Sequence, residues 1–543
     1  MGFSPCERVN TLSEQLASAI ARLKAPARQG LFGRLRRGIE KEGLRVDADG
    51  RISQTPHPRA LGSKLTHPYI TTDYSESLLE YITPVFSRPK DSLEFLADLH
   101  RFSYRNLGDE LIWPASMPPR LNGNDSVPIA DYGTSNTGTM KHVYRKGLDV
   151  RYGRIMQSIA GIHYNFSLPD DFWTLLQKME NAEGEDARDF RSRRYFELIR
   201  NFRRHSWILL YLFGASPGID ESFLDGGNDD RLKRQADRSL VSAYATSLRM
   251  SDLGYQNKVQ AQLKICFNSL DNFVGTLRHA IVTPWKDYEK LGVKQADGSW
   301  SQLSSNILQI ENEYYSDIRP KRVTRHNETP SQALEGRGVE YIEVRCLDLN
   351  PFLPVGIDET QIRFLDTFLI WCLLTESPWI DDEECANLDD SKRRVVEAGR
   401  DPELTLNVKG EERRLRELAA NVMDELGEVA SLLDENHKSG SEHRDALAAL
   451  APRFDDAQTT PSGRLLTSML DNGSNFVDEV LALAKGQAEQ FKTEPMERAR
   501  GYLLDQLVET SLQQQGDIEA GDHQDFDTFM AEYFASAHAT QPA

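Results

Sequence analysis

Hydrophobic and polar positions alternate with a period of two in several short stretches of this chain, and the polar set repeatedly carries carboxylates or an imidazole. In residues 37–46 (RGIEKEGLRV) the alternation predicts a β-strand with Glu40 and Glu42 on one face and Ile39, Lys41 and Gly43 on the other. Residues 47–50 (DADG) predict a tight turn that returns the chain antiparallel. Residues 71–84 predict a further strand closed by Pro84, and bring in Asp73 and Glu80. In 158–167 Ile162, Tyr164 and Phe166 take one face, and His163, Asn165 and Ser167 the other. Residues 309–315 and 340–345 predict the last strands, the second with Ile342 and Val344 toward a core and Tyr341, Glu343 and Arg345 opposite.

Helical spacing predicts a leading helix over 12–23, broken by Pro26 and Gly30, and further helices over 93–107 and 193–214. The apolar run 364–374 contains Asp366 and is too short to span a bilayer, so it predicts a buried helix. Residues 132–138 (YGTSNTG) read as a polar, flexible loop, and not as a Walker A loop, because Thr139 and Met140 follow where Lys and Ser/Thr would stand. After Pro378 charged, helix-forming residues dominate, for example over 411–433, and the acidic stretch 513–543 is expected to be partly disordered. The fold class is therefore α+β, a mainly antiparallel sheet with surrounding helices. It divides into an N-terminal helix over 1–30, a core over 31–380 that holds the sheet and a mostly helical C-terminal extension over 381–543.

A net charge of −19 disfavours nucleic acid and anionic membrane surfaces as partners. The five cysteines Cys6, Cys266, Cys346, Cys372 and Cys385 show no CxxC spacing, as expected for reduced thiols in the cytoplasm. The N-terminal residues lack the apolar run of a secretory signal, and Cys6 stands where a myristoylation signal needs Ser or Thr.

Two carboxylates about 7 Å apart repel by about 2 kcal/mol at an effective dielectric near 20, so a buried Glu40–Glu42 pair needs cations beside it. A solvent-facing edge strand accounts for the same pair. Taken singly, Asp73 reads as a turn residue, Glu80 as an edge carboxylate and His163 as a hydrogen-bonded structural histidine. Together with Glu343 they suggest one sheet with a metal-lined face; hard oxygen ligands with one imidazole favour Mg2+ or Mn2+, ions that engage substrate phosphates. The basic loop 319–322, with Arg319 and Lys321, suits a polyphosphate or is a solvated patch. Arg249, among small hydroxyl residues in 244–255, suits a bidentate grip on a carboxylate or an ordinary salt bridge.

The segments 38–42, 60–63, 70–74, 132–138, 161–166 and 340–345 resemble, in unbroken order, the proteobacterial glutamate–cysteine ligase family. The resemblance covers 35–371 and continues weakly into the tail. It implies ATP-dependent ligation of the γ-carboxyl of L-glutamate to the amine of L-cysteine through γ-glutamyl phosphate, the first step of glutathione synthesis. It also implies a sheet related to those of glutamine synthetase and the guanidino kinases, curved into a funnel. By matching position, Glu40, Glu42, Asp73, Glu80, His163 and Glu343 resemble the family's metal-site residues, and Arg249 its glutamate-binding arginine. Tyr144, Leu148, Ile159, Tyr255 and Tyr315 resemble its substrate pocket, chiefly the cysteine wall. Arg345 and Glu343 match the catalytic pair, with Arg345, Lys321 and Arg319 toward the phosphates of ATP. The expected partners are thus glutamate, cysteine and ATP, with the protein a monomer. Cys346 stands where a smaller hydroxyl residue is expected, and Lys41 and Gly43 depart from the first motif; Cys346 should face the apolar side and serve packing. The rival readings are a related carboxylate–amine ligase with a different amine acceptor, and a catalytically dead metal-binding regulator.

Overall fold

The structure, a computed structural model, describes residues 13–253, 263, 265–325, 328–435 and 440–538. Its first element, α1 (Glu14–Arg28), buries Leu16, Ile20, Leu23 and Ala27 at helical spacing, and the Ser13 side chain caps it by accepting from the Leu16 N–H. Pro26 does not break this helix: it sits in the last turn, where its missing N–H costs one bond near the frayed end, and the chain turns instead at Gly30, φ 90°.

Strand β1 (Arg36–Val46) is the long central strand. It is joined by β2 (Ile70–Thr72), β3 (Leu78–Ile82), β4 (Ile162–Ser167), β5 (Ile318–Lys321) and β6 (Tyr341–Leu347) in the spatial order β2-β3-β1-β4-β6-β5, every neighbouring pair antiparallel. A short strand, Leu111–Ile112, pairs with the far end of β1 and makes the seventh member. Register then decides which side chains meet: Glu42 lies opposite Glu80, Glu40 opposite His163, and Glu343 opposite both Asn165 and Arg319. On the reverse face Ile39, Tyr164 and Val344 form a fully buried row. Burying side chains of that size stabilises by about 1.5–3 kcal/mol each, so a one-residue slip of β4 would turn Ile162, Tyr164 and Phe166 to the polar face and drive His163 and Asn165 into the core.

Several expected elements differ. The stretch 71–84 is a hairpin, β2 and β3, with Asp73 at the turn, where its N–H donates to the Leu78 carbonyl. Residues 309–315 are not a strand; Glu311–Glu313 forms a 3-10 turn because the buried Glu313 carboxylate accepts from the Gln309 N–H, from Arg151 and from the Tyr152 hydroxyl, pulling the chain inward. The basic loop is instead the edge strand β5, where Pro320 is tolerated because one side has no partner. The turn at 47–50, with Gly50 at φ 72°, returns the chain antiparallel as expected, the Asp47 N–H donating to the Arg51 carbonyl and the Ser53 N–H to the Arg45 carbonyl, but the return amounts to a bridge between Val46 and Ile52 rather than a full strand. In the tail, Thr405–Val408 and Glu411–Arg414 make a hairpin ahead of the helix Leu415–Asp434.

Helix α2 (Pro89–Asn106) covers part of the reverse face, and α3 (Asn136–Tyr152) borders the front; the end of the expected loop is the first turn of α3, capped by Ser135. Behind the sheet lie α4 (Ala187–His205), α5 (Trp207–Phe213) and α6 (Glu359–Leu374), the last buried almost throughout. The tail ends in α7 (Arg498–Gly521) and α8 (Phe526–His538), so the described part of the stretch expected to be partly disordered is helical apart from the connection 522–525. No helix among the described residues is long and apolar enough to cross a membrane.

Arg37 and Asp366 lock α6 to the sheet. Arg37 Nη2 lies 2.6 Å from Asp366 Oδ2, and the Tyr164 hydroxyl donates to Asp366 Oδ1 at 2.7 Å. Both charges are buried, so removing one strands the other. Asp366→Ala is expected to cost about 3–5 kcal/mol in urea unfolding; a loss below about 1 kcal/mol would show that the pair does not hold the helix.

Candidate active site

The strand alternation that buries Ile39, Tyr164 and Val344 turns Glu40, Glu42, Glu80, His163, Asn165, Glu343 and Arg345 to the opposite face. His163 Nδ1 lies 3.1 Å from Glu40 Oε2 and 3.5 Å from Glu343 Oε1, and His163 Nε2 lies 3.7 Å from Glu42 Oε1. Asn165 Nδ2 donates to Glu40 Oε1 at 2.8 Å, and the Gly161 N–H to Glu42 Oε2 at 2.6 Å. Arg345 Nη1 donates to Glu343 Oε1 at 2.8 Å, and Lys321 Nζ lies 3.3 Å from Glu343 Oε2.

Cations are unevenly shared among these acids. Burial raises the pKa of Glu343, but Arg345 and Lys321 outweigh it and hold the carboxyl well below its ordinary range. Glu40 is also lowered: the cost of burial and the nearby Glu343 are overcome by the hydrogen bond from His163 and by Lys321. Glu80 is pushed well above the ordinary range, first by burial and then by Asp73, Glu40 and Glu42. Glu42 is raised by burial and by Asp73, against the pull of His163, Arg249 and Arg345. Arg345 is raised despite burial, mainly by Glu343, whereas Arg319 is lowered to about 10 by burial and by Arg345 beside it.

Glu40, His163 and Glu343 offer ligand atoms that all lie within 4.8 Å of one another. The buried Asn165 Oδ1 has no hydrogen-bond partner among the described residues, and the buried Glu343 Oε2 has only the ion pair with Lys321. Two carboxylates, one imidazole and more acids beside them form a hard donor set, so these residues fit a divalent ion of the magnesium class.

Beside this face opens a cavity of about 570 Å³. Of the expected site residues, Glu42, Asp73, Tyr144, Leu148, Tyr315, Arg319 and Arg345 line it. Glu40, Glu80, His163, Glu343 and Lys321 adjoin them on the sheet. Arg249 is buried beside the lining residue Arg345, its Nη2 3.1 Å from the Arg345 carbonyl and its Nη1 3.8 Å from Asp348 Oδ1. Ile159 is fully buried and lies off the cavity lining, and Tyr255 falls outside the described residues. Cys346 is buried as expected, and burial pushes its thiol pKa up.

Other lining residues were not anticipated. Arg145, Arg151 and Tyr152 reach the cavity from α3, and Asn312 and Tyr314 from the segment beside Glu313. The signal was present: Tyr144, Leu148 and Arg151, like Arg145, Leu148 and Tyr152, recur at three- and four-residue spacing and share a helix face. It needed α3 to be read as a helix. Arg151 is fixed by Glu313 Oε1 at 3.0 Å, both side chains fully buried.

A family model for glutamate–cysteine ligase matches residues 20–395. The chain belongs to the glutamate–cysteine ligase family. It is 49% identical over 525 residues to the glutamate–cysteine ligase of Pseudomonas fluorescens (strain Pf0-1), covering 97% of this chain and 98% of that one. With the Pseudomonas putida (strain W619) glutamate–cysteine ligase it shares 51% identity over 499 residues, 92% of this chain and 94% of the relative. The structure matches a crystal structure of the Francisella tularensis glutamate–cysteine ligase in complex with AMP, with TM-score 0.87 and 35% identity over 93% of this chain and 98% of that one. A bifunctional glutathione synthetase from Pasteurella multocida matches with TM-score 0.71 and 27% identity, over 91% of this chain and 58% of that longer one.

Within this glutamate–cysteine ligase fold Gly161 has a specific duty. A Cβ built there would meet Arg249 Nη2 at 2.1 Å, so the lack of a side chain is what lets the guanidinium lie against the start of β4. Gly161→Ala is expected to displace Arg249 and disturb Glu42, lowering ligase turnover about 100-fold, as a misplacement near 1 Å does. Turnover within about threefold of the parent would show that Arg249 is not held by this contact.

Proposed function

We infer that the protein is an ATP-dependent glutamate–cysteine ligase, joining the γ-carboxyl of L-glutamate to the amine of L-cysteine with release of ADP and phosphate. The observation that carries the reading is the row of Glu40, His163, Glu343 and Arg345 on one sheet face, beside the cavity, in a chain of this family. The names of the relatives give no support to a different amine acceptor. The four described cysteines are free thiols, which suits a cytoplasmic enzyme.

Arg345 is the group we assign to the transferring phosphoryl. It stays charged, is aimed by Glu343, and presents a planar fork that matches equatorial phosphoryl oxygens. Arg319 and Lys321, on the neighbouring edge strand, are assigned to the remaining phosphate oxygens. Arg249 is assigned to a carboxylate of glutamate. Attack of the glutamate γ-carboxylate on the terminal phosphorus gives γ-glutamyl phosphate and ADP. The cysteine amine then attacks the acyl carbon, phosphate leaves with the bonding pair, and the amine proton passes to solvent or to phosphate. Tyr144, Leu148 and Tyr315, with Tyr255, are assigned to the cysteine pocket, where aromatic walls exclude water that would hydrolyse the acyl phosphate. Glu40, His163 and Glu343, with Glu42, Glu80 and Asp73 beside them, would hold Mg2+ or Mn2+, which when bound supplies positive charge against phosphate oxygens.

The function is tested by ADP release with ATP, Mg2+ and glutamate, with and without cysteine. Cysteine-dependent release with γ-glutamylcysteine as product is expected; equal turnover with an unrelated amine would reject the cysteine assignment. Arg345→Lys keeps a cation beside Glu343 but loses the fork, and is expected to lower turnover about 100-fold with the unfolding midpoint unchanged. Unchanged turnover would remove Arg345 from phosphoryl transfer.

A further inference from the structure

Helix α3 supplies one wall of the cavity, yet much of what holds it comes from the far end of the chain. The Asp522 carboxylate, just after α7, accepts from the Asn136 backbone N–H at 2.5 Å and from Asn136 Nδ2 at 2.6 Å. Glu519 Oε1 accepts from the Thr134 N–H at 3.0 Å. Ser135 caps the helix locally through the Gly138 N–H, so the tail serves amides beside that cap and sets two carboxylates against the positive end of the helix dipole. Gly133 makes the approach possible: it has φ 89°, and a Cβ there would meet Glu519 Oε1 at 2.1 Å and Gln515 Nε2 at 2.3 Å.

The hold continues along the back of α3. Val143, Leu303 and Met530 form a small buried cluster apart from the main core, with Met140, Tyr144, Trp300, Phe526 and Phe529 packed around it. Met530, Phe526 and Phe529 come from α8, so one helix of the tail touches the reverse side of the helix that turns Tyr144 and Leu148 to the cavity. Asp527 ties α8 to the facing loop, 2.5 Å from Lys294 Nζ and 2.9 Å from Trp300 Nε1. Gln332 Nε2 donates to the Ser536 carbonyl at 2.7 Å. The attachments converge on α3 and the 300-region, which packs against it through Gln309; a Cβ on Gly147 would overlap that amide at 1.9 Å.

We propose that Asp522, with Met530 on α8, is a positioning residue for helix α3, so that the C-terminal strap sets the enzyme's affinity for cysteine without taking part in phosphoryl transfer. The proposal rests on assigning the Tyr144–Leu148 face to the cysteine pocket. A side chain that caps a helix from a distant segment fixes its axial position, and a separate small core is free to loosen while the sheet stays folded. Loss of the cap therefore shifts one wall of the pocket and leaves Arg345, Glu343 and His163 in place.

Asp522→Ala in the full chain is expected to raise the KM for cysteine about tenfold, with kcat within about twofold, a change on the scale of one lost cap. Asp522→Asn, which keeps one acceptor for Asn136, should raise it by about threefold. Amide hydrogen exchange should quicken in 136–144 while β1, β4 and β6 stay protected. An unchanged cysteine KM, or a kcat that falls with the folded fraction while KM holds, would overturn the proposal. Tyr144→Ala, measured beside these variants, separates the two readings. A raised cysteine KM there with a normal one in Asp522→Ala rejects the strap alone. A cysteine KM unmoved by Tyr144→Ala rejects the pocket assignment and the strap's role in cysteine binding together.

Discussion

Like charges gathered on one buried sheet face repel one another, and the arrangement of this protein follows from how that repulsion is answered. Glu40, Glu42, Glu80 and Glu343, with Asp73 at the adjoining turn, share a face that antiparallel register cannot spread apart. Arg345 and Lys321 answer Glu343, and His163 answers Glu40. Burial first, and then the neighbouring acids, raises Glu42 and Glu80 above the ordinary carboxylate range, a cost that a bound cation would relieve. A face that still needs cations, bordered by Arg319, Lys321 and Arg345, suits metal-bound phosphates, because the metal satisfies the acids and the arginines satisfy the phosphate oxygens.

The same constraint explains how rigidly the surroundings are built. Arg37, on the apolar side of β1, is neutralised by Asp366 behind the sheet, whose carboxylate also accepts from the Tyr164 hydroxyl, so it does not compete for the acids in front. Arg151, which reaches the cavity, is fixed by Glu313, and that requirement overrides the strand pattern of 309–315. Glycines permit close approaches where a side chain would push charges apart: Gly161 admits Arg249, and Gly133 admits the tail. Helix α3 packs on the main core through Leu148 and on a second, small cluster shared with α8 through Val143.

The floor of the site was legible in the sequence because it lies on strands. Period-two alternation assigns Glu40, Glu42, His163, Glu343 and Arg345 to one face without any knowledge of tertiary structure. Glu80 followed the same rule, although the hairpin that separates it from Asp73 did not show, since the turn is built from ordinary hydroxyl and acidic residues, 73–77, without glycine or proline. The walls were harder. Glu313 looks like a strand carboxylate until its buried partners Arg151 and Tyr152, some 160 residues away, are known. The 132–138 segment looks like a free polar loop because the groups that order it, Asp522 and Glu519, stand nearly 400 residues further on. Local patterns carry local structure; contacts across such separations leave no local trace.

The claim on which the account depends is that the crowded acids are balanced by divalent ions, and the most direct measurement is anomalous scattering from crystals of the full chain grown with Mn2+ and a non-hydrolysable ATP analogue. A manganese peak bound by Glu40, His163 and Glu343 is expected, at about 2.1 Å from their ligand atoms. The claim would be contradicted by no peak on this face while the analogue is bound, for then Arg345, Lys321 and protonation alone would balance the charge.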